Sequence, residues 1–163
     1  MAKITADVRS AEGSWSVSAL TPGDLDTVVE IDREIIGRSR RRFFERRLAG
    51  ALAEPGRYVY VGAWQDGALV GYALARIAEG EFGVGIRTAT LDALGVAKSA
   101  WGKGAGRRLL DGVETVLKHK GVAEIITEVD WGEQGMLHFF EHGGFEIAPR
   151  IVLSRDTEAP LSY

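Results

Sequence analysis

The segment LDALGVAKSAWGKGAGRRLL, residues 91–110, constrains the fold of this chain more than any other. A stretch typical of a strand runs into a loop with glycine at positions 102, 104 and 106, and the loop runs into a patterned helix. Glycines let backbone amides turn toward a ligand without Cβ obstruction, and a helix N-terminus adds partial positive charge. The segment therefore predicts an anion-binding cradle. Three alternating glycines alone are equally typical of a plain tight turn.

Two familiar phosphate-binding motifs do not fit this loop. A P-loop ends in Gly-Lys-Ser/Thr, whereas Gly106 is followed by Arg107 and Arg108. The dinucleotide fingerprint has the spacing G-x-G-x-x-G, whereas the spacing here is G-x-G-x-G. The loop therefore predicts neither a nucleoside triphosphatase nor a dinucleotide-binding fold.

Composition narrows the class of protein further. The chain has 163 residues, 45% of them hydrophobic and 26% charged, which suits one globular domain. It has no Cys and three His, so no disulfide framework, cysteine nucleophile or metal site is expected. No signal-peptide core and no apolar run of membrane-spanning length is present. We expect a cytoplasmic protein with no membrane partner.

Charge is unevenly distributed. Residues 38–47 contain six Arg and one Glu, a local charge of +5, whereas the whole chain has a net charge of −3. The remainder therefore carries −8, which argues against general nucleic-acid binding. The arginine segment is interpreted either as a recognition surface for an acidic group or as the solvated face of an amphipathic helix.

Patterning predicts a mixed α+β fold. The predicted elements are strand 15–20, a helix from Thr21 to Gly37, helix 38–54, strands 58–64, 68–77 and 87–96, helix 107–120, strand 124–129, helix 133–141 and strand 145–153. Glycines at 80, 83 and 85 predict a turn between two of the strands. This order combines a meander with crossovers, so it predicts one domain over 1–163, with a core of about 14–155 and polar tails.

Two blocks resemble the GNAT superfamily of acetyl-CoA-dependent N-acetyltransferases. The first comprises Leu94-Gly95-Val96, the loop from Trp101 to Gly106, and Leu109-Leu110. The second is EVDWGEQGMLHFFEHGGF, residues 128–145, which is similar to the last strand and helix of that family. The resemblance implies a central, mostly antiparallel mixed sheet flanked by helices, with a splayed strand pair that holds the cofactor.

The same resemblance implies the cofactor-binding residues. Backbone groups of Leu94 and Val96 would pair with the pantetheine amides, and an amide near Val96 would polarise the thioester carbonyl. The loop amides would hold the pyrophosphate. The implied contact residues of this loop are Trp101, Gly102, Lys103, Gly104, Ala105, Gly106 and Arg107. Lys103 and Arg107 would add charge.

Two departures from the family pattern bear on chemistry. Trp101 stands where the family usually has Arg or Gln, so a side-chain phosphate contact is lost. Phe140 occupies the position of a Tyr that often protonates the departing thiolate, and a phenyl ring has no proton to give. Phe140 is therefore expected to pack beside the cofactor sulfur, with water or the substrate ammonium as proton donor.

The base that deprotonates the acceptor amine is assigned first to Asp92. Strand alternation predicts that Thr90, Asp92, Leu94 and Val96 project from one face, and family bases often lie on this strand. A solvated or hydrogen-bonded strand Asp is the alternative interpretation. Glu128 and Asp130 are the runners-up, since Asp130 would lie where the strands splay.

The sequence does not identify the acceptor amine. Arg38, Tyr58 and Asp130 are the candidate substrate-binding residues. We expect acetyl transfer from acetyl-CoA to a primary amine by direct attack in a ternary complex, with no metal. The alternatives are a catalytically inactive acyl-CoA-binding regulatory module, or a helix that docks a protein or, least expected, a nucleic acid. A homodimer stays open.

Overall fold

The computed structural model describes residues 13–79 and 86–158. Its elements within those ranges are β1 Trp15–Ala19, α1 Leu25–Ile36, α2 Arg41–Ala53, β2 Tyr58–Gln65, β3 Ala68–Glu79, β4 Arg87–Val96, α3 Ala105–His119, β5 Glu124–Ile126 and α4 Gln134–His142. Short 3-10 turns at Pro22–Asp24 and Lys98–Ala100 precede α1 and α3. The turn predicted around residues 80–85, most of the N-terminal tail and the last five residues lie outside the described ranges.

The described strands form one five-stranded sheet in the order β1-β2-β3-β4-β5. Neighbouring strands from β1 to β4 are antiparallel, and β5 runs parallel to β4. A parallel neighbour needs a crossover connection, which α3 supplies. The predicted mixed α+β architecture is confirmed, with a sheet that is mostly antiparallel.

Local signals explain the boundaries that the sequence predicts well. At the start of α1, the Thr21 amide donates to Asp24 Oδ2 at 2.8 Å, and Gly37, with φ +79°, ends the helix. The β2–β3 hairpin turns at Asp66 and Gly67, whose φ angles of +51° and +83° suit a tight two-residue connection. This turn joins the two strands that the sequence predicts at 58–64 and 68–77.

Helices cover both faces of the sheet in the part of the chain that ends at Glu128. Leu109, Val113 and Leu117 of α3 are buried on one face. On the other face, α1 and α2 contribute Val28, Ile31, Phe44 and Leu48 to a cluster that includes Tyr72 and Leu74 of β3. Tyr72 and Leu74 therefore mark the face of the sheet that α1 and α2 cover.

The central part of β4 contains a β-bulge. Ala75 lies opposite Leu91, whereas the preceding residue Leu74 lies opposite Ala93. Asp92 is therefore an extra residue with no direct partner in β3. A bulge places two residues against one, so the side chains beyond it exchange faces.

The predicted alternation along β4 is wrong for this reason. Thr90 lies opposite Arg76, and Asp92 bonds to Arg76, so both are on the α1–α2 face. Beyond the bulge, Val96 packs instead in the cluster of Trp15 and Ala105, on the α3 side. Leu94 and Val96 thus do not share a face with Asp92.

The chain divides into two compact units, the first ending at Glu128 and the second beginning at Val129. In the second unit, α4 runs from Gln134 to His142, one residue away from the prediction at each end. The predicted strand 145–153 is wrong, because this segment has no strand, and Ile147 and Leu153 are exposed. The strand predicted for 124–129 is also shorter, ending at Ile126. The prediction of one domain stays a prediction.

Candidate active site

The edge of β4 opens midway along the strand. β5 pairs with β4 only from Thr88 to Thr90, and the Thr127 hydroxyl donates to the Leu91 carbonyl at 3.2 Å. β3, in contrast, accompanies β4 as far as Val96. From Asp92 onward, no strand of the described residues pairs with this second edge. An open strand edge accepts an extended ligand through main-chain hydrogen bonds.

The open half of β4 leads directly into the glycine loop. Gly102 and Gly104 have φ angles of +72° and +80°, a conformation that side chains rarely adopt. Gly104 is the N-cap of α3 and provides no side-chain cap. The amides of the first helical turn have no intrahelical acceptor, since the Arg108 amide is the first to bond back, to Gly104 O at 3.1 Å. This turn presents main-chain donors and a positive helix end to an anion.

Arg108 fastens the loop, a role the sequence did not indicate. Its Nη1 donates to the carbonyls of Lys103 and Gly104, each at 3.3 Å, and its guanidinium lies 4.6 Å from the ring centroid of Trp15. Ala105 packs in the same buried cluster as Trp15. Lys103 and Arg107, which the sequence analysis assigns to phosphate, are exposed.

Trp101 also contributes to the loop. Its indole N–H donates to the Val96 carbonyl at 2.7 Å, while 57% of the residue is exposed. The side chain thus bridges the end of β4 and the start of the glycine loop. Trp101 replaces a charged or amide side chain of the family pattern with a contact that holds the loop to the strand.

Asp92, the predicted base, lies at the bulge in an ion-paired cluster. Its carboxylate accepts hydrogen bonds from Arg76 Nε at 2.6 Å and Nη2 at 2.8 Å, and Arg47 Nη2 of α2 lies 3.2 Å away. Only 7% of the side chain is exposed. The bulge turns this carboxylate toward α2, so it joins β3, β4 and α2. Its catalytic role stays a prediction.

A second buried carboxylate, Asp32 of α1, is a residue that the sequence pattern did not indicate as functional. Asp32 is fully buried, and it accepts hydrogen bonds from the Tyr72 hydroxyl at 2.6 Å and from Arg40 Nε at 2.9 Å. Burial, with the bond to Asp32, raises the pKa of Tyr72, and the bond to Asp32 raises the pKa of Arg40.

A signal for this site was present in the helical pattern. Asp32 follows Ile31 and lies four residues after Val28, so it shares their buried stripe. Ile35 and Ile36, the last two residues of α1, are exposed instead. An acid on the apolar face of a helix predicts a buried partner, which here is supplied by β3 and the α1–α2 connection.

The proposed acceptor residues are spread over the two units. In the first unit, Arg38 is exposed, and Tyr58 is half-buried with its ring against Gly50 of α2. Glu128 is also exposed. In the second unit, Asp130 is exposed and accepts a hydrogen bond from the Gly132 amide at 3.0 Å. The structure brings Asp92 and the arginine segment together, through Arg47, but does not test the role of any of these residues.

Phe140 is a packing residue of the second unit. It is 5% exposed, and its ring centroid lies 5.1 Å from that of Phe139 and 5.0 Å from that of Phe145. Its ring carries no hydroxyl that could donate a proton. Phe140 is thus buried among aromatic rings of its own unit, and its place beside a cofactor sulfur stays a prediction.

In the described ranges, no three His, Asp or Glu side chains cluster in a way that could hold a metal ion. None of the helices described is both long and apolar enough to cross a membrane.

The open edge of β4 and the glycine loop together fit the shape and chemistry of acetyl-CoA. Pantetheine carries amides that need main-chain partners, and β4 has an open edge from Asp92 onward. A pyrophosphate needs amide donors without Cβ obstruction, and Gly102 and Gly104 precede the free amides of α3. Strand edge and loop are continuous in the chain, so one extended molecule can contact both.

Comparison with known proteins agrees with this geometry. The family model described as "Acetyltransferase (GNAT) family" matches residues 25–145. Comparison with the curated proteins gave no significant match.

Several solved structures share the fold. A transcriptional regulator from Bacillus halodurans is 20% identical, with a TM-score of 0.75 over 87% of this chain and 99% of its own. An aminoglycoside acetyltransferase from an uncultured soil metagenomic sample, in complex with sisomicin, is 14% identical, with a TM-score of 0.70 over 89% and 97%. A glucosamine-6-phosphate N-acetyltransferase from Arabidopsis thaliana is 15% identical, with a TM-score of 0.69 over 88% and 99%. At these identities the likeness shows the fold.

Proposed function

The chain belongs to the GNAT family of acetyltransferases, and on that premise we propose that it transfers acetyl from acetyl-CoA to a primary amine by direct attack in a ternary complex. One observation carries the proposal. The half of β4 that does not pair with β5 is followed by a glycine loop. This loop leads into α3, whose first-turn amides have no intrahelical acceptor. Bound acetyl-CoA supplies an acetyl thioester, whose carbonyl carbon is open to attack by an amine.

Main-chain groups of this chain hold the cofactor in the proposed complex. Leu94 and Val96 pair with pantetheine, and the loop binds the pyrophosphate through its amides. The loop residues involved are Trp101, Gly102, Lys103, Gly104, Ala105, Gly106 and Arg107. Two side chains keep the loop in place. Arg108 donates to carbonyls of the loop, and the indole of Trp101 donates to the carbonyl of Val96. Phe140 packs beside the sulfur in this proposal and gives no proton.

Asp92 is proposed to take the proton of the acceptor amine, directly or through a water molecule. It lies at the residue where the edge of β4 opens, and its carboxylate already accepts guanidinium bonds from Arg76. A carboxylate oxygen has two acceptor sites, so these bonds leave capacity for a further donor. Glu128 and Asp130 are the alternative bases.

A panel of primary amines tests the function. Amino acids, amino sugars, aminoglycosides and peptides with free N-termini are each incubated with acetyl-CoA, and the release of free CoA thiol is measured. We expect release that depends on at least one amine and forms an N-acetyl product of matching mass. Tight binding of acetyl-CoA without acetylation of any amine would instead support the inactive regulatory module.

A further inference from the structure

A shallow cleft of about 560 Å³, open to the surface, lies at the connection between α1 and α2, within the first unit. Arg38, Arg40, Arg41 and Arg42 line it, together with Phe43 and Glu45. The lining is thus strongly cationic, with one carboxylate. The family match assigns no ligand to this cleft.

Internal ion pairs neutralise only part of this lining. Arg40 bonds to buried Asp32. Arg41 pairs with Asp26 at 2.6 Å and lies 3.8 Å from Glu45, so the acid of the cleft already has a cation.

Two arginines of the cleft stay without an acid. In the described part of the chain, neither Arg38 nor Arg42 forms a salt bridge. Both are exposed. They also lie close to the start of α2, whose first turn contains no acidic residue, and cations are unfavourable at a helix N-terminus. An anion bound between them would offset this unfavourable charge.

Buried side chains join the wall of the cleft to the open half of β4. Arg40, in its wall, bonds to Asp32, and Asp32 accepts the hydroxyl of Tyr72. The Tyr72 ring lies against Gly95, since a Cβ built on Gly95 would be 2.6 Å from its Cε1. In addition, the Lys98 amide, two residues beyond β4, donates to Glu34 of α1 at 3.3 Å. The end of α1 therefore lies beside the strand that is proposed to hold the acetyl group.

From this arrangement we infer that the cleft binds an oxyanion group, a carboxylate or a phosphate, of the acceptor amine, and that Arg38 and Arg42 bind it. Arginine forms paired hydrogen bonds to either group. The inference rests on the proposed function, and it gives the acceptor class as an anionic primary amine.

Matched acceptor pairs test the assignment. Wild type is assayed with glutamate and glutamine, with phosphoserine and serine, and with glucosamine 6-phosphate and glucosamine. We expect kcat/KM for at least one anionic member to exceed that of its neutral partner by about ten- to one-hundredfold, the range for hydrogen bonds to charged groups. The pair that shows the preference distinguishes carboxylate from phosphate.

Two variants locate the preference. In the double variant Arg38→Gln/Arg42→Gln, kcat/KM for the anionic member should fall to that of its neutral partner, and the thermal shift with acetyl-CoA should persist. Arg46→Gln is the control, because Arg46 lies on α2 with Arg42, is exposed and does not line the cleft. Equal use of anionic and neutral amines by wild type overturns the assignment. So does an equal loss in Arg46→Gln, which would indicate an effect of overall charge alone.

A binding measurement separates failure of this inference from failure of the proposed function. Glutarate and inorganic phosphate are titrated by calorimetry into CoA-saturated protein, so that the glycine loop is occupied. Binding of either anion to wild type, and its loss in the double variant, would support the cleft as an anion site. If no amine is acetylated in that case, only the proposed function is refuted. Acetylation of neutral amines without anion binding would refute the cleft as an anion site and would still support the proposed acetyltransferase function.

Discussion

The hydroxyl of Tyr72 donates a 2.6 Å hydrogen bond to the carboxylate of Asp32, forty positions earlier in the chain. Both side chains are buried, and Arg40 supplies the opposite charge. The bond joins α1 to the middle strand of the sheet, at the point where the ring of Tyr72 also touches Gly95. A charge in such a position is stable only with its partners, because an uncompensated buried charge is costly.

Two tyrosines on the same face of the sheet should respond oppositely to loss of the hydroxyl. Tyr72→Phe removes a bond to a charged group and should lower the free energy of unfolding by about 1.5–3 kcal/mol. The Tyr60 hydroxyl is buried and has no hydrogen-bond partner in the described residues, so Tyr60→Phe should be neutral or stabilise by up to about 1 kcal/mol. Urea denaturation of both variants measures the difference. Equal effects would contradict the assigned bonding.

Alkaline pH should weaken the fold through the same two tyrosines. Burial raises the pKa of Tyr60 from 10.0 to about 12, and the pKa of Tyr72 shifts in the same direction. A group whose pKa is higher in the folded state contributes stability below its unfolded pKa and loses it as pH rises through the folded one. The free energy of unfolding should therefore fall between about pH 10 and 12. Tyr60→Phe should flatten this fall, and an unchanged slope in that variant would contradict the prediction.

Replacement of Gly104 by valine should abolish binding of acetyl-CoA. A Cβ at this position would lie 2.6 Å from Arg108 Nη1, so this side chain would have to shift from the loop, and φ +80° is strained for valine by about 1–3 kcal/mol. Gly67→Val is the matched control, because Gly67 has φ +83° in the β2–β3 turn and open space around it. Both variants should lose stability, but only Gly104→Val should lose the rise in melting temperature with acetyl-CoA. A normal rise in Gly104→Val would exclude the loop as the binding site.

Asp92→Asn tests the proposed base. Loss of a general base lowers the rate by about a hundredfold to ten-thousandfold. The deficit should be largest below neutral pH, where the amine is most protonated, and acetyl-CoA affinity should stay nearly unchanged. The rate is measured across pH beside that of Arg47→Gln, which removes one ion-pair partner and keeps the carboxylate. A loss below about threefold at every pH would assign the role to Glu128, Asp130 or solvent. A large loss of equal size at all pH values would make Asp92 a positioning residue.

Phe140→Tyr tests whether departure of the thiolate limits turnover. A phenol has an ordinary pKa of about 10 and a thiol of about 8.5, so the added hydroxyl donates a proton only weakly, and the expected gain in kcat is modest, below about tenfold. Phe139→Tyr, at the neighbouring half-buried position, is the control. No change in kcat for Phe140→Tyr would indicate that attack by the amine limits the rate.

The sequence by itself determined the elements whose signals are local. The β2–β3 turn at Asp66 and Gly67, the end of α1 at Gly37 and the apolar face of α3 all depend on neighbours within a few residues. The strand, glycine loop and helix of residues 91–110 were predictable for the same reason, and they carry the proposed cofactor site.

Only the tertiary structure decided where the charged groups lie. The bulge at Asp92 depends on pairing between β3 and β4, and it reverses the alternation that the sequence predicts for Leu94 and Val96. Likewise, the sequence shows Asp32 only as a polar residue of a helix. The folded structure adds its partners, Tyr72 and Arg40. Strand register and ion pairing join residues that are far apart in the chain, and their free energy depends on burial that exists only after the sheet and helices have packed.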